Sequence, residues 1–253
     1  MSEKRTEVPG PGFGCGIGTG TESRDDLNRQ LIPAGWRRLY YNPLRSPQDT
    51  AGFRLEGDGA VTFPLRRLRL ESTRSPEEGQ KANLVYWCPQ EFPADLAVSW
   101  EFRPIREPGL AILFFSAVGE GGKDLFDPSL PRRTGEYDQY HHGAMNAFHL
   151  SYFRRMWAEE RQFHTCNLRK SYGFHLVAQG ADPLPGVADA AGRYRMLILK
   201  MGPSITFAIN GLPVLSWTDD GLSYGPLLAG GKLGFRQMAP LIAEYAELTV
   251  YGL

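Results

Sequence analysis

The sequence has few cysteines and no excess of charge. Its three cysteines are Cys15, Cys88 and Cys166, and an odd, widely spaced set without a CxxC pair is not typical of a disulfide framework. The 28 basic residues are balanced by 28 acidic ones, so the formal net charge is zero. Nucleic acids and anionic membrane surfaces attract proteins with a basic excess. The composition therefore predicts neither of them as a partner.

Long hydrophobic runs are also missing. No apolar run reaches the roughly 18 residues that indicate a transmembrane helix, and the opening residues MSEKRTEV contain no apolar leader segment. Together with reduced thiols, these absences predict a cytoplasmic protein that neither spans nor binds a membrane. Helical periodicity is nearly absent too, and the best helix candidate is a short one near residues 154–162.

Short apolar or alternating runs are what the sequence has in their place. From Trp36 onward, many runs of strand length are separated by glycine, proline, asparagine and aspartate, which predicts an all-β fold. Such runs favour two antiparallel sheets packed face to face, as in a jelly-roll sandwich. The pair Asn210-Gly211 between two of the runs predicts a tight β-hairpin.

The length favours one domain, because β-sandwiches often run to about 200 to 250 residues as a single domain. We expect that domain to cover residues 36–253. Residues 1–35 are rich in glycine, proline, serine and threonine, a composition that predicts a flexible tail. Its GFGCGIGTG run follows no strand and precedes no amphipathic helix, so it does not predict nucleotide binding.

One stretch, residues 135–180, contains every histidine of the chain. The five are His141, His142, His149, His164 and His175. Side chains that titrate near neutral pH cluster where chemistry or polar ligand binding takes place. We therefore expect the functional site to lie in this stretch.

Strand alternation assigns the side chains of this stretch to faces, because neighbours along a strand point to opposite sides of a sheet. The predicted core side consists of Phe148, Leu150 and Tyr152 in one strand and Phe174, Leu176 and Ala178 in another. The opposite side consists of His149 and Ser151, and of His175, Val177 and Gln179. A third row, Glu136, Asp138, Tyr140 and His142, is predicted to share a solvated strand face. Arg236, near the C-terminus, is expected on the same side as His149.

Long stretches of the chain resemble an uncharacterised bacterial family with a concanavalin A-like lectin/glucanase sandwich, whose members occur in gene clusters for the degradation of pectin, notably rhamnogalacturonan. The stretches are NLVYWCPQEFPADLAVSWEFRPIREPGLAILFFSA, FDPSLPRRTGEYDQYHHG, HLSYFRR, HTCNLRKSYGFHLVAQGADPLP and GKLGFRQMAPLIAEY. The resemblance implies that jelly-roll fold and an oligosaccharide as ligand or substrate, but no settled activity. It implies no cofactor and leaves open whether a structural calcium ion is present. The sequence contains no EF-hand-like run that would predict one.

Retaining glucanases of this fold superfamily have the pattern Glu-x-Asp-x-Glu on one strand. Here the run from Glu136 through Asp138 ends in Tyr140, so the carboxylate that the third position supplies is missing. A hydrolase that uses Glu136 and Asp138 stays an alternative, although the usual pair of carboxylates about 5 to 5.5 Å apart is not available from this strand.

The residue types favour β-elimination on a uronate. Cations must neutralise the carboxylate as charge develops, and a histidine or tyrosine must move the proton. We therefore predict catalysis by His149 or His142 and Tyr140, with Arg154, Arg155 or Arg236 on the carboxylate. The full predicted catalytic set is His149, His142, Tyr140, Arg154, Arg155, Glu136 and Asp138. The predicted substrate-binding set is His175, Arg236, Gln237, Arg169, Lys170, Trp157 and Trp87.

Two further interpretations stay open. The first is noncatalytic glycan binding, in which sugar faces stack on aromatic rings such as that of Trp157. The second is a metal ion on the histidines with Asp138 or Glu136. Adjacent His141 and His142 point to opposite faces of an extended strand, and the spacings match no recurring ligand pattern. No metal site is therefore predicted, and the sequence does not determine the oligomeric state.

Overall fold

The computed structural model of the protein describes residues 24–253. Its helices are α1 (Arg24–Leu31), α2 (Asp138–His141) and α3 (Ala158–Gln162). Its strands are β1 (Arg37–Asn42), β2 (Arg54–Glu56), β3 (Gly59–Thr62), β4 (Leu68–Ser72), β5 (Leu84–Trp87), β6 (Leu96–Arg106), β7 (Leu110–Gly119), β8 (Met145–Tyr152), β9 (Thr165–Lys170), β10 (His175–Ala181), β11 (Tyr194–Met201), β12 (Ser204–Ile209), β13 (Leu212–Thr218), β14 (Lys232–Met238) and β15 (Ile242–Gly252).

The strands form two antiparallel sheets, as the alternating runs predict. One sheet has eight strands in the order β13-β12-β11-β6-β15-β4-β3, with β1 paired to the end of β15. The other has seven strands in the order β10-β9-β8-β7-β14-β5-β2. Each sheet combines consecutive strands with distant ones, since β6 pairs with β11 and β15 and β14 lies between β5 and β7. The predicted jelly-roll sandwich is confirmed.

The main core fills the space between the sheets. Trp100 of β6 lies at its centre, and its indole Nε1 donates to the hydroxyl of Tyr152 on β8 at 3.1 Å. Phe148 and Leu150 of β8 point to the same side and are buried, as the alternation of this strand predicts. Complete burial of an aromatic or aliphatic side chain contributes about 1.5–3 kcal/mol, and the core contains more than thirty such residues.

A second apolar cluster covers the outer face of the seven-stranded sheet. Trp87 of β5 stacks on Phe114 of β7, with ring centroids 5.4 Å apart, and Tyr140 stacks on Phe114 at 5.3 Å. Leu125 and Tyr140 come from the connection between β7 and β8. The connection between β7 and β8, which includes α2, therefore packs against the outer face of the seven-stranded sheet.

The hairpin prediction holds, and the tail prediction needs a correction. β12 and β13 pair through Ile209 and Leu212, with Asn210 and Gly211 at positive φ in the turn. Residues 24–31 form helix α1, whose Asn28 accepts from the Gly211 amide at 2.8 Å. The predicted flexible tail is therefore wrong for this part, and residues 1–23 lie outside the described residues. The domain boundary at residue 36 stays a prediction.

The strand predicted over GEYDQYHH is wrong. Residues 138–141 form the single turn of α2, because the chain bends at Gly135 (φ 96°) and closes at Gly143. A Cβ atom on Gly143 would lie 2.1 Å from the Gln139 carbonyl oxygen, so glycine alone fits there. The predicted solvated row of Glu136, Asp138, Tyr140 and His142 does not form.

The face assignment of β10 is right for Ala178 but wrong for Phe174, Leu176 and Val177. A register shift between Leu176 and Ala178 inserts a residue opposite β9, and such a bulge reverses the alternation of side chains. Phe174 and Leu176 are exposed, while Val177 and Ala178 pack against the main core. Among the described helices, none has both the length and the apolar character to cross a membrane.

Candidate functional site

A buried arginine, Arg236, lies on the outer side of the seven-stranded sheet. It belongs to β14, between Val85 of β5 and Ile112 of β7, and 0% of it is exposed. Its Nη2 donates to Gln80 Oε1 at 3.2 Å and to the Gly135 carbonyl at 3.3 Å. Its Nε and Nη1 make no hydrogen bond within the described chain. Two of its three nitrogens are thus unused.

Arg236 also has no counter-ion. Burial and two tyrosines act on its pKa, and no carboxylate of residues 27–253 forms an ion pair with it. Burial lowers the pKa of Arg236, since a charge loses its hydration in a low-dielectric environment. Buried charges are almost always paired or bound to a ligand. A buried guanidinium without an acidic partner is the feature expected of an anion-binding site.

Tyr137 lies directly over this arginine. The Arg236 Cζ is 4.5 Å from the centre of the Tyr137 ring, and the Tyr137 hydroxyl is 3.0 Å from His149 Nδ1. Burial raises the pKa of Tyr137 to about 12, and the charges of Arg236, Arg169 and Arg154 act in the opposite direction. The phenol is therefore neutral at physiological pH.

His149 of β8 is buried and completes this pair. Its Nε2 is 3.3 Å from Ser171 Oγ, and Ser171 Oγ itself donates to the Ala147 carbonyl at 3.2 Å. The single hydroxyl proton of Ser171 is thus in use, so His149 Nε2 must be the donor to Ser171. His149 Nδ1 is then the acceptor of the Tyr137 proton. Burial, then the charges of His141 and Arg236, hold the pKa of His149 well below its usual value.

Arg169 lies on the other side of His149. It pairs directly with His149 across β8 and β9, and its Nη1 donates to the Phe174 carbonyl at 3.0 Å. Its Cζ is 3.7 Å from the centre of the Phe174 ring. Burial lowers the pKa of Arg169, which has no carboxylate among the groups that act on it. We call Tyr137, His149, Arg169 and Arg236 the arginine site.

Three rings cover the arginine site. Tyr137 meets His141 edge-on with ring centroids 4.8 Å apart, and meets Phe174 edge-on at 5.6 Å. The rings of His141 and Phe174 are 4.7 Å apart. Phe174 belongs to the turn between β9 and β10 and is 46% exposed. Displacement of this one exposed ring would open the site from the solvent side.

A family model described as a domain of unknown function (DUF1961) matches residues 37–250. The chain belongs to the DUF1961 family. This finding confirms the resemblance to an uncharacterised family with a lectin-like fold. The DUF1961 region contains the whole arginine site.

Other comparisons agree with this assignment. The uncharacterized protein YesU of Bacillus subtilis (strain 168) is 54% identical over 213 residues, which cover 84% of this chain and 94% of YesU. A crystal structure of a protein of unknown function with a galectin-like fold, from Bacillus subtilis, is 52% identical with a TM-score of 0.81 and covers 85% of this chain and 97% of that chain. The VIP36 exoplasmic/lumenal domain, in a Ca²⁺/Man3GlcNAc-bound form, is 12% identical with a TM-score of 0.55 over 86% and 90% of the two chains. At that identity the likeness shows the fold alone.

Two arginines of the predicted catalytic set of this DUF1961 protein have carboxylate partners. Arg154 donates to Glu160 at 2.5 Å, and the buried Arg155 forms an ion pair with Asp182 at 3.3 Å. Arg155 also donates to the Leu184 carbonyl at 2.7 Å. The prediction that either of them holds a substrate carboxylate is corrected, because each already has an acidic partner.

Tyr140, predicted as a proton-transfer residue, supports the fold. Its hydroxyl donates to Glu56 at 2.9 Å, and the same carboxylate accepts from Trp87 Nε1 at 2.8 Å and pairs with Arg133 at 2.7 Å. Burial, then the charge of Glu56, hold the pKa of Tyr140 well above its usual value. Tyr140 and the buried Trp87 are therefore both engaged by Glu56, and Tyr137 is the tyrosine that reaches His149.

The remaining predicted residues divide between the surface and the core. Glu136 accepts from Thr134 and Gln139 at the surface. Four others lie at the surface: Asp138 and His142 are exposed at α2, Trp157 is 50% exposed beside α3, and the ring of His175 lies 5.2 Å from that of Tyr224. Two are buried: Lys170 pairs with Asp219 at 2.7 Å, and Gln237 donates to the Leu70 and Leu241 carbonyls between the sheets. Lys170 and Gln237 are thus corrected to structural roles.

Sequence reasoning missed Tyr137 and Gln80. In a strand, Tyr137 and His141 would share a face that contains no residue of the predicted site. In one helical turn, residues i and i+4 lie next to each other, so Tyr137 and His141 come together. Gln80 contacts Arg236 from a segment about 156 residues away in the chain, a distance that no local pattern reports. The spacing of Tyr137 and His141 was the only local signal available.

The cysteines serve packing. Cys88 and Cys166 are free and buried, and burial raises the pKa of Cys166 to about 12. A nucleophilic cysteine needs a lowered pKa, so neither of these two is a nucleophile. Cys15 lies outside the described residues.

Proposed function

We propose that this DUF1961 protein binds an acidic sugar and that Arg236 holds its carboxylate. The observation that carries the proposal is the buried guanidinium with two unused nitrogens and no acidic partner in residues 27–253. Arginine is a strong charge-assisted donor to carboxylates, and Nε and Nη1 each keep an N–H group that could donate to a carboxylate oxygen. Arg169, at the other side of His149, adds a second positive charge without an acidic partner.

The sugar part of the proposal is supported by exposed rings near the arginine site. Phe174 and Tyr172 stand on the turn between β9 and β10, and Tyr224 contacts the neighbouring His175. Apolar sugar faces stack on aromatic rings. The bound sugar of the VIP36 structure belongs to a protein of the same fold, and a shared fold alone does not establish function.

The chemistry that the site supports best is β-elimination on a uronate. The proton on the carbon next to the carboxylate passes to the Tyr137 oxygen, while the phenolic proton of Tyr137 passes to His149 Nδ1. The electron pair of the broken C–H bond forms a double bond, and the bond to the leaving sugar oxygen breaks with its electron pair on that oxygen. The bound carboxylate offsets the charges of Arg236 and Arg169, which removes one cause of the low pKa of His149. A pectin-type oligosaccharide is the proposed substrate, and a cytoplasmic location stays part of the proposal.

Calorimetry separates acidic from neutral ligands. We expect the protein to bind galacturonate oligosaccharides and not galactose oligosaccharides of equal length, and Arg236→Met to weaken binding about 30-fold or more, because loss of a buried charged partner costs about 2–5 kcal/mol. Arg45→Met is the matched control, since Arg45 is exposed and pairs with Glu247 on the other sheet. Equal affinity for the acidic and neutral sugars would remove the basis of the proposal.

Ultraviolet absorbance then tests for turnover, since elimination creates a conjugated unsaturated uronate. Tyr137→Phe keeps the ring over Arg236 but removes the hydroxyl, so we expect binding to persist and absorbance to stay flat. If the unchanged protein binds galacturonate but yields neither absorbance nor new reducing ends, it is a noncatalytic binding protein, an interpretation that the lowered pKa of His149 favours. Turnover that survives in Tyr137→Phe would exclude the relay.

A further inference from the structure

Three side chains at α2 bring possible metal-ligand atoms within 4 Å of one another. His141 Nδ1 and His142 Nδ1 are 2.7 Å apart, and Asp138 Oδ1 is 3.2 Å from His142 Nδ1 and 3.9 Å from His141 Nδ1. The three atoms thus form a small triangle with two nitrogens and one carboxylate oxygen. Each of them is a ligand atom that proteins use for divalent transition ions.

The helical turn creates this triangle. Asp138, His141 and His142 are at positions i, i+3 and i+4, which lie on one face of a helix. Two ligands at i and i+4 on one helix face are the arrangement by which zinc proteins of the H-E-x-x-H type hold their metal. The expectation that adjacent histidines point apart is therefore wrong here, because it assumed an extended strand.

The size of the triangle fits a tetrahedral ion. Ligand atoms about 2.0–2.1 Å from zinc lie about 3.3 Å from one another in tetrahedral geometry. The three observed separations, from 2.7 to 3.9 Å, bracket that value. Imidazole nitrogen favours zinc, copper, nickel and iron, whereas calcium and magnesium prefer oxygen. Three protein ligands leave a fourth position for water or a ligand oxygen, as in catalytic zinc sites.

The supporting structure holds the three ligands in place. The Gly173 amide donates to the His141 carbonyl at 2.6 Å, and the hydroxyl of Tyr140 fixes the turn on Glu56. Gly143 closes the turn where no Cβ fits. A metal site needs such preorganisation of its ligands by a rigid backbone.

We propose that Asp138, His141 and His142 bind one divalent transition ion of the zinc class beside the arginine site. The ring of His141 contacts those of Tyr137 and Phe174, so the ion lies next to the aromatic rings that cover the arginine site. The proposal does not rest on the acidic sugar, because Asp138 and His142 make no contact with Arg236 or Arg169 in the structure. Its test uses the metal alone.

Cobalt(II) is the probe, because a tetrahedral cobalt site absorbs visible light and needs no substrate. We expect the metal-free full-length protein to bind one Co²⁺ per chain with visible bands, and Zn²⁺ to displace it. His142→Ala removes an exposed ligand without disturbing the core. Since loss of a residue that only orients a ligand weakens metal binding about 10- to 100-fold, we expect loss of His142 to weaken it by at least about 100-fold, and Asp138→Asn to weaken it as well.

His164→Ala is the matched control, because His164 is exposed and its ring bonds only to the Arg161 carbonyl. That variant should bind Co²⁺ as the unchanged protein does. If the unchanged protein binds no Co²⁺, or if His142→Ala and His164→Ala bind it equally, the triangle is a hydrogen-bonded cluster that shares a proton, and the proposal is overturned. Neither result depends on whether galacturonate binds, so the two proposals fail separately.

Discussion

Replacement of Arg236 by methionine tests whether this arginine serves ligand binding or the fold. Methionine has a similar shape and no charge, so Arg236→Met removes the buried cation and keeps most of the packing on β14. If Arg236 is held for an absent anion, the ligand-free protein should lose little stability. The variant Arg155→Met is the contrast, because Arg155 is equally buried but paired with Asp182.

The magnitudes follow from the contacts. Arg236→Met loses two charge-assisted hydrogen bonds of about 1.5–3 kcal/mol each and the contact with the Tyr137 ring, about 0.5–2 kcal/mol. It also abolishes the cost of burying an unpaired charge, which is several kcal/mol. These opposing contributions are of similar size, so we expect a net change close to zero, within about 2 kcal/mol in either direction. Arg155→Met leaves Asp182 buried and unpaired, and such a loss costs about 3–5 kcal/mol.

Thermal and denaturant unfolding at neutral pH measure both variants. For a domain of this size 1 kcal/mol corresponds to about 2–4 °C in Tm, so Arg155→Met should unfold about 6–20 °C lower while Arg236→Met unfolds close to the original temperature. A loss of about 3 kcal/mol or more in Arg236→Met would show that its two hydrogen bonds serve the fold. The reasoning that assigns Arg236 to an anionic ligand would then be refuted.

Three further predictions concern single contacts. Tyr140→Phe should lower the free energy of unfolding by about 1–3 kcal/mol, since it leaves the partners of a buried hydroxyl unsatisfied. It should leave the affinity for galacturonate unchanged, and a loss of affinity would show that Tyr140 belongs to the binding site. Gly143→Ala should cost about 1–3 kcal/mol, as overpacking does, and should weaken Co²⁺ binding, because the new Cβ displaces the end of α2; unaltered binding in a cobalt titration contradicts this. Asp220 has its pKa lowered to about 2 by hydrogen bonds from Ser223 and the backbone, so its contribution is present above the unfolded pKa of about 3.9 and is lost as pH falls through about 2. Asp220→Asn should flatten the fall of stability between those two pH values, and a denaturation series from pH 5 to pH 2 that matches the parent protein would disprove it.

The sandwich was predictable because its signal is local. Strand alternation requires only that apolar side chains recur at every second residue, and the alternation in β8 placed Phe148 and Leu150 toward the core and His149 away from it, as the structure has them. The turn at Asn210-Gly211 was equally local, since both residues tolerate the positive φ that a tight hairpin needs.

Alternation failed where a short segment departs from regular structure. The turn of α2 has four residues, too few for a helical period to appear in the sequence. Because a strand was predicted in place of this helical turn, Tyr140 was assigned to the site instead of Tyr137, and His141 and His142 were placed on opposite faces. A bulge in β10 had a similar effect. Alternation that is right for Ala178, which packs against the core, also placed Leu176 and Phe174 there, whereas the register shift between Leu176 and Ala178 leaves these two exposed.

The sequence by itself determined the two-sheet sandwich, the face of β8 and the stretch in which the histidines gather, because these follow from residue type and spacing along the chain. It did not determine which arginine is free. Arg155 pairs with Asp182 27 residues away and Lys170 pairs with Asp219 49 residues away, whereas the hydrogen bonds of Arg236 within the described chain go to Gln80 and a backbone carbonyl. Ion pairing depends on which strands lie side by side after folding, so only the tertiary structure decided which cation is left for a ligand.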